Sequence, residues 1–96
     1  MTVSLFVQHK VKDFATWKKM YDEGAPQELK ISGILTDSVH RSLDDPNTVL
    51  VYHQFADASA YKAHMARMDS DEFREGPVKV GGVIPETLEF WVYEDV

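Results

Sequence analysis

Four short stretches of this chain predict β-strands: the first and the last alternate between two unequal faces, and the two between them are rich in residues that favour strands. The stretches are Val3–Val7, Ile34–Leu43, Thr48–Phe55 and Leu88–Glu94. Residues 44–47, Asp-Asp-Pro-Asn, are turn formers that join the second stretch to the third, so these two strands are expected to form an antiparallel hairpin.

A helical spacing of aromatic residues follows the first strand. Asp13 occupies an N-cap position, and the aromatic residues after it are three and four positions apart, which places them on one face of a helix. We expect Gly24 and Pro26 to weaken or end this helix; a helical turn can resume at 27–31, before Ser32-Gly33 breaks the pattern. The aromatic residues are Phe14, Trp17 and Tyr21.

A second helical pattern follows the third strand, and Asp57 or Ser59 can cap it. Residues 69–72, Asp-Ser-Asp-Glu, indicate the start of a further short helix, because acidic side chains are favourable at a helix N-terminus. The apolar stripe of the longer helix includes a histidine; its members are Tyr61, His64, Met65 and Met68.

The order of these elements predicts an α+β, ferredoxin-like βαββαβ fold, whose four-stranded antiparallel sheet has helices on one face only. Neither face of the sheet is plainly polar, because aromatic residues such as Phe6, Tyr52 and Trp91 oppose aliphatic ones. Two sheets packed through the helix-free faces would bury both. We therefore expect a homodimer with closed symmetry.

Composition narrows the class of protein. A chain of 96 residues suits one domain over 1–96. Sixteen acidic and ten basic residues give a net charge of −6, and this charge argues against nucleic acids and anionic membranes as partners. The absence of cysteine excludes disulfides and a thiol nucleophile. No apolar run approaches the roughly 20 residues that span a bilayer, and the first residues lack a secretory signal, so a cytoplasmic location is expected.

Several segments together point to a known family. They are a strand after a turn at 43–52 (LDDPNTVLVY), a helix entry at 55–57 (FAD), a helical segment with a histidine at 60–64 (AYKAH), and the downstream Phe73. In these features the chain resembles the antibiotic biosynthesis monooxygenase (ABM) family of dimeric α/β-barrel proteins. The detailed match covers about positions 43–75, and the likeness in architecture spans nearly the whole chain.

The resemblance implies a homodimer whose two sheets form a barrel, with a pocket in each subunit between sheet and helices. Members include cofactor-free oxygenases of polyketide or quinol substrates, haem-degrading enzymes, and related isomerases and cyclases, so the fold alone does not choose a reaction. The haem-degrading branch relies on an asparagine near the first strand, whereas the only asparagine here is Asn47 in a turn and the nearest substitute is Gln8. We therefore expect no cofactor.

His64 is the preferred catalytic candidate, because it lies in the apolar stripe of the second helix and matches the family's helix histidine. A neutral imidazole can accept a proton from an acidic phenol or enol, and a cofactor-free oxygenase needs this step before oxygen reacts with the carbanion. The alternative is a structural histidine that is hydrogen-bonded to a backbone carbonyl and helps to seat the helix.

His53 is the second catalytic candidate, because it interrupts an otherwise apolar strand face and needs a partner if it is buried. In the expected hairpin register Ser38 lies opposite His53, and a hydrogen bond between them would give His53 a purely structural role. A slip of one residue would change this pairing. His40 and His9 lie towards strand ends, and we expect both to be exposed.

An aromatic set could wall a slot for a flat apolar substrate, with hydroxyl groups to orient it. The alternative is that most of these residues only fill the core. The candidates for substrate binding are Trp17, Tyr21, Tyr52, Tyr61, Phe73 and Trp91.

A metal site is not expected, since the acidic residues at 69–75 are more simply a solvated face.

The sequence thus predicts a cofactor-independent monooxygenase, or a related isomerase or cyclase, that acts on a small aromatic, quinol or polyketide-like compound. The alternative is a non-catalytic homodimeric module that binds a small ligand or serves a stress-related role. The two hypotheses differ in what His64 does.

Overall fold

The computed structural model describes residues 1–96, and it confirms the predicted βαββαβ order and ferredoxin-like arrangement. Two main helices carry the predicted caps, Asp13 and Asp57, and a three-residue helix runs directly into a π-helical turn. The elements are β1 (Val3–Val11), α1 (Phe14–Ser32), β2 (Ile34–Arg41), β3 (Thr48–Phe55), α2 (Ala58–Met68), α3 (Asp71–Phe73), the π-helical turn (Arg74–Val78) and β4 (Val83–Glu94).

The four strands form one antiparallel sheet in the order β2-β3-β1-β4. Alternate residues of β1 and β3 face the helices and form the core, which includes Leu5 and Val49, both with no exposed surface. Burying a side chain of this size contributes about 1.5–3 kcal/mol. The core therefore lies between the sheet and one layer of helices, as the alternating pattern predicted.

Helix α1 does not end at Gly24 or Pro26, contrary to the prediction, but continues to Ser32. A proline inside a helix removes one backbone hydrogen bond, and packing on either side can offset this loss. Here Trp17 and Ser32, which lie before and after Pro26, are both buried. The helix ends at Gly33, whose φ of 64° is left-handed and whose N–H donates to the carbonyl groups of the last turn.

The register of the hairpin differs by one residue from the prediction. Strand β2 ends at Arg41, which pairs with Val49, so Asp37 and not Ser38 lies opposite His53. Ser38 points to the helix-free face, where its hydroxyl lies 2.8 Å from His40 Nε2. The predicted hydrogen bond between Ser38 and His53 is therefore wrong, because a shift of one residue moves a side chain to the other face.

The chain after the π-helical turn approaches α1 closely at Gly81. A Cβ atom built on Gly81 would lie 2.5 Å from Met20 Cε, 3.0 Å from the Pro77 carbonyl oxygen and 3.1 Å from Trp17 Cδ1. Real Cβ atoms do not occupy such space without movement of the neighbours. The absence of a side chain at Gly81 thus allows this segment to pack against Trp17.

Gly81→Ala is expected to lower the free energy of unfolding by about 1–3 kcal/mol, since the added carbon pushes the segment away from α1. Gly24→Ala is the matched control, because a Cβ at Gly24 meets nothing within 4 Å and Gly24 lies inside a helix. That variant should gain about 0.5–1 kcal/mol. Urea unfolding measures both, and a Gly81→Ala protein as stable as the parent would contradict the close packing.

None of the helices is both long enough and apolar enough to cross a membrane.

Candidate active site

A cleft of about 1270 Å³ lies over the helix-covered face of the sheet. Strands β1 and β3 form its floor, α1 and α2 form two walls, and the segment from α3 to the π-helical turn forms its rim. Three of the four histidines line this cleft, together with aromatic side chains from α1 and α3. The residues that matter for its chemistry are His9, Trp17, Tyr21, His53, His64 and Phe73.

His64 lies on α2 in the wall of the cleft and is buried. Its Nδ1 atom lies 3.0 Å from Ser32 Oγ, and Ser32 Oγ donates to Glu28 Oε1 at 2.9 Å. The second carboxylate oxygen of Glu28 accepts a hydrogen bond from Arg67 at 2.8 Å. His64 Nε2 is buried and has no hydrogen-bond partner. An unpaired buried polar atom costs about 1–3 kcal/mol, which marks this nitrogen as a candidate for function.

His53 lies on β3 in the floor of the cleft, beside His64. Its Nε2 atom lies 3.1 Å from the hydroxyl oxygen of Tyr21, and this hydroxyl donates to Asp37 Oδ2 at 3.2 Å. His53 Nδ1 is buried without a partner. The two imidazole rings are nearly perpendicular, with centroids 5.5 Å apart. The cleft therefore contains two neighbouring histidines, each with one free nitrogen.

His9 is the third histidine of the cleft, and it is buried, so the prediction that it is exposed is wrong. Strand β1 extends to Val11, further than the alternation predicted, and thus His9 lies inside the strand and packs edge-on against Trp17 at 5.6 Å. His40 is exposed on the opposite face, as predicted.

Burial lowers the pKa of all three cleft histidines below the usual 6.5. For His53 burial is the largest cause, the neighbouring His64 adds to it, and the pKa falls to about 4. For His64 the charge of Glu28 partly offsets the lowering of the pKa by burial. All three imidazoles are therefore neutral at pH 7, and a neutral imidazole has one nitrogen that can accept a proton.

The structure brings together some of the predicted site residues and separates others. Tyr52 and Trp91 lie on the helix-free face of the sheet, where both pair with Phe6 and Tyr52 lines a separate hollow of about 310 Å³. Tyr61 packs edge-on against Phe55 in the core, with ring centroids 5.9 Å apart. The residues that do line the cleft are His53, His64, Trp17, Tyr21 and Phe73.

Three polar partners of the histidines were not predicted: Glu28, Ser32 and Asp37. One signal was available for two of them, because Glu28 and Ser32 are four residues apart and would share a helix face. The prediction that α1 weakens at Pro26 hid this spacing. Asp37 could not be found, since its position opposite His53 depends on the hairpin register.

No three histidine or carboxylate side chains converge in an arrangement that could hold a metal ion.

Comparison of the sequence with models of known families identifies the family of this chain. The sequence model of the family described as antibiotic biosynthesis monooxygenase matches residues 2–76, most of the chain. The chain belongs to the ABM family. The match ends before β4 and covers all three cleft histidines and the polar partners of His53 and His64.

Several solved structures share the fold of this chain. A conserved protein from Methanosarcina mazei Go1 superposes with a TM-score of 0.76 at 16% identity, over 100% of this chain and 94% of that chain. SnoaB, a cofactor-independent oxygenase from Streptomyces nogalater, superposes with a TM-score of 0.75 at 14% identity, over 99% of this chain and 93% of that chain. Identities this low show the fold alone. No curated protein matches the chain.

Proposed function

We propose that this ABM-family protein is a cofactor-independent monooxygenase of a small phenol, hydroquinone or polyketide-like aromatic compound, and that His64 accepts the proton that starts the reaction. The observation that carries the proposal is the free Nε2 atom of His64, a neutral and unpaired base in the wall of an aromatic-lined cleft. SnoaB, which has the same fold, is a cofactor-independent oxygenase, and this supports the reaction class.

The chemistry needs only a base, a held substrate and oxygen. His64 removes the proton of a ring hydroxyl, and the resulting anion carries electron density at a ring carbon, which reduces O₂ and forms a carbon–oxygen bond to it. The proton returns from His64 to give a hydroperoxide, which loses water and leaves a carbonyl group. One phenol and one O₂ thus yield one quinone and one water, and the substrate supplies all four electrons that reduce O₂.

The aromatic walls would hold the ring of such a substrate. Trp17 and Tyr21 stack with ring centroids 5.1 Å apart on one side of the cleft, and Phe73 lines the rim. Flat apolar surfaces with a few polar groups are typical of sites for aromatic ligands. The hydroxyl group of the substrate would replace the missing hydrogen-bond partner of His64 Nε2.

Oxygen uptake tests the proposal. The purified protein is supplied with a panel of phenols and hydroquinones, and oxygen consumption is followed together with quinone formation. We expect at least one member of the panel to consume oxygen in proportion to protein, with one quinone formed per O₂. A protein that consumes none with any of them contradicts the proposed reaction.

One observation favours a second candidate, a non-catalytic module that binds a small aromatic molecule. The free nitrogens of His53 and His64 are both buried, so a compound that binds in the open part of the cleft without moving the packed side chains touches neither of them. In this case aromatic compounds would bind in the cleft without oxygen uptake. Calorimetric titration with the same panel separates binding from turnover.

We also propose that two copies of the chain pack through their helix-free faces. This face carries Phe6, which stacks on Tyr52 at 5.0 Å and meets Tyr93 edge-on at 6.2 Å. Trp91 and Tyr93 are 39% and 57% exposed, in a row of aromatic residues that resembles the core of an interface. A second copy would cover this surface, as the family resemblance implies.

Light scattering on a sizing column is expected to give twice the mass of one chain at micromolar concentration. Trp91→Glu should shift the protein to the mass of one chain, because a buried charge at the centre of an apolar interface has no partner. Leu43→Glu is the control, since Leu43 is fully exposed in the β2–β3 turn and should leave the mass unchanged. A parent protein with the mass of a single chain contradicts this assembly.

A further inference from the structure

The hydrogen bonds around His53 and His64 determine where each of these two imidazoles carries its proton. Carboxylates accept hydrogen bonds only, and a hydroxyl group has a single proton to donate. In each chain of contacts a hydroxyl group lies between a carboxylate and an imidazole: Glu28–Ser32–His64 and Asp37–Tyr21–His53. Each hydroxyl group can therefore donate to only one of its two neighbours and must accept from the other.

In the first series of hydrogen bonds Ser32 donates its proton to the carboxylate of Glu28, whose other oxygen accepts a hydrogen bond from Arg67 at 2.8 Å. The Ser32 oxygen can then only accept from His64 Nδ1, 3.0 Å away, so His64 carries its proton on Nδ1. The lone pair is left on Nε2, the atom that has no partner.

In the second series of hydrogen bonds Tyr21 donates to Asp37, and the Tyr21 oxygen accepts from His53 Nε2 at 3.1 Å. His53 therefore carries its proton on Nε2, and its lone pair is left on Nδ1. The two neighbouring histidines are thus held in opposite tautomers by two separate carboxylates.

We infer that Glu28, acting through Ser32, is a positioning residue that keeps His64 in the Nδ1–H tautomer and so keeps Nε2 free as a base. The inference rests on the proposed function for its catalytic consequence, whereas the tautomer itself can be measured without any substrate. Arg67 contributes by orienting the Glu28 side chain.

Glu28→Gln is expected to reverse the direction of the hydrogen bonds that run from residue 28 through Ser32 to His64. Arg67 can only donate, so it selects the amide oxygen of the new side chain and turns the amide nitrogen towards Ser32. The Ser32 oxygen then accepts from the amide, and its own proton is free to go to His64 Nδ1, which lies 3.0 Å away. His64 should change to the Nε2–H tautomer, which has no free base at the cleft wall. A wrong tautomer of a catalytic histidine typically lowers kcat by large factors.

Nuclear magnetic resonance tests this with isotope-labelled histidine, in a proton–nitrogen spectrum that distinguishes protonated from unprotonated ring nitrogens at neutral pH. The signals of His64 are assigned by their loss in His64→Phe. We expect an Nδ1–H tautomer for His64 and an Nε2–H tautomer for His53 in the parent, and an Nε2–H tautomer for His64 in Glu28→Gln. Asp22→Asn, which changes an exposed carboxylate of the same helix, should leave both histidine tautomers unchanged.

An Nε2–H tautomer of His64 in the parent protein overturns the inference, even if the variant does not fold. An unchanged tautomer in a folded Glu28→Gln protein overturns it as well. With a panel compound that consumes oxygen, kcat should fall at least about 100-fold in Glu28→Gln with little change in KM. If the tautomer changes while kcat does not, the role of Glu28 in setting the tautomer stands and the proposed role of His64 as base fails.

Discussion

Replacing His64 with phenylalanine is expected to lower kcat for oxygen uptake by about 10²- to 10⁴-fold, the usual contribution of a positioned base. The variant removes Nε2, the only free nitrogen of His64. His53 remains as a second neutral imidazole 5.5 Å away, but its pKa of about 4 makes it a much weaker base near pH 7. The measurement is oxygen consumption at saturating substrate for parent and variant.

The variant should stay folded, which separates catalysis from stability. Phenylalanine preserves a planar ring against Phe55, whose centroid lies 5.2 Å from that of His64, and Ser32 keeps Glu28 as its hydrogen-bond acceptor. The melting temperature should therefore change little. His40→Phe alters an exposed histidine on the opposite face and should leave oxygen uptake unchanged. Full activity in His64→Phe would exclude His64 as the base and favour the binding module.

Acid is expected to destabilise this protein at a higher pH than carboxylate protonation would require. The pKa of His53 is about 4 in the folded chain and 6.5 in the unfolded chain, so between these values only the unfolded chain binds the proton. Stability is therefore complete above pH 6.5 and is lost as the pH falls towards 4. The difference corresponds to about 3 kcal/mol from His53, and the lowered pKa values of His9 and His64 act in the same direction.

Urea unfolding at several pH values between 7 and 4, at one protein concentration, measures this dependence. His53→Phe should flatten the profile by about 3 kcal/mol over the range, because the ionisable group is gone. The lowered carboxyl pKa values of Asp13, Asp45 and Asp95 lie below 3.8, so their effect is centred at lower pH. A stability that is constant from pH 7 to pH 4.5 would contradict the burial of neutral histidines.

The sequence predicted those parts of the fold that depend on local spacing. Alternation places Val3, Leu5 and Val7 on one face of a strand, and the structure buries all three. Asp13 and Asp57 cap helices because their carboxylates accept from backbone N–H groups three residues later, a contact within a single turn. The positions of Trp17 and His64 on inward helix faces follow from the same periodicity.

Contacts between residues of different helices and strands were predicted less well from the sequence. Five of the aromatic candidates have similar side chains but different positions. Trp17 and Tyr21 line the cleft, whereas Tyr52, Tyr61 and Trp91 do not. A strand residue reaches one face or the other according to a register that is decided by pairing over the whole sheet. Aromatic character alone does not carry this information.

By itself the sequence determined the order of strands and helices, the helix starts and the apolar faces, because each of these depends on neighbours within a few residues. Only the tertiary structure decided that Glu28 and Ser32 of α1 meet His64 of α2, and that Asp37 of β2 shares Tyr21 with His53. The hydrogen bonds of Tyr21 with Asp37 and His53, and of Ser32 with His64, join residues 16 to 32 positions apart. They form only when packing of the helices on the sheet brings these groups together, and they determine which nitrogen of each histidine is free.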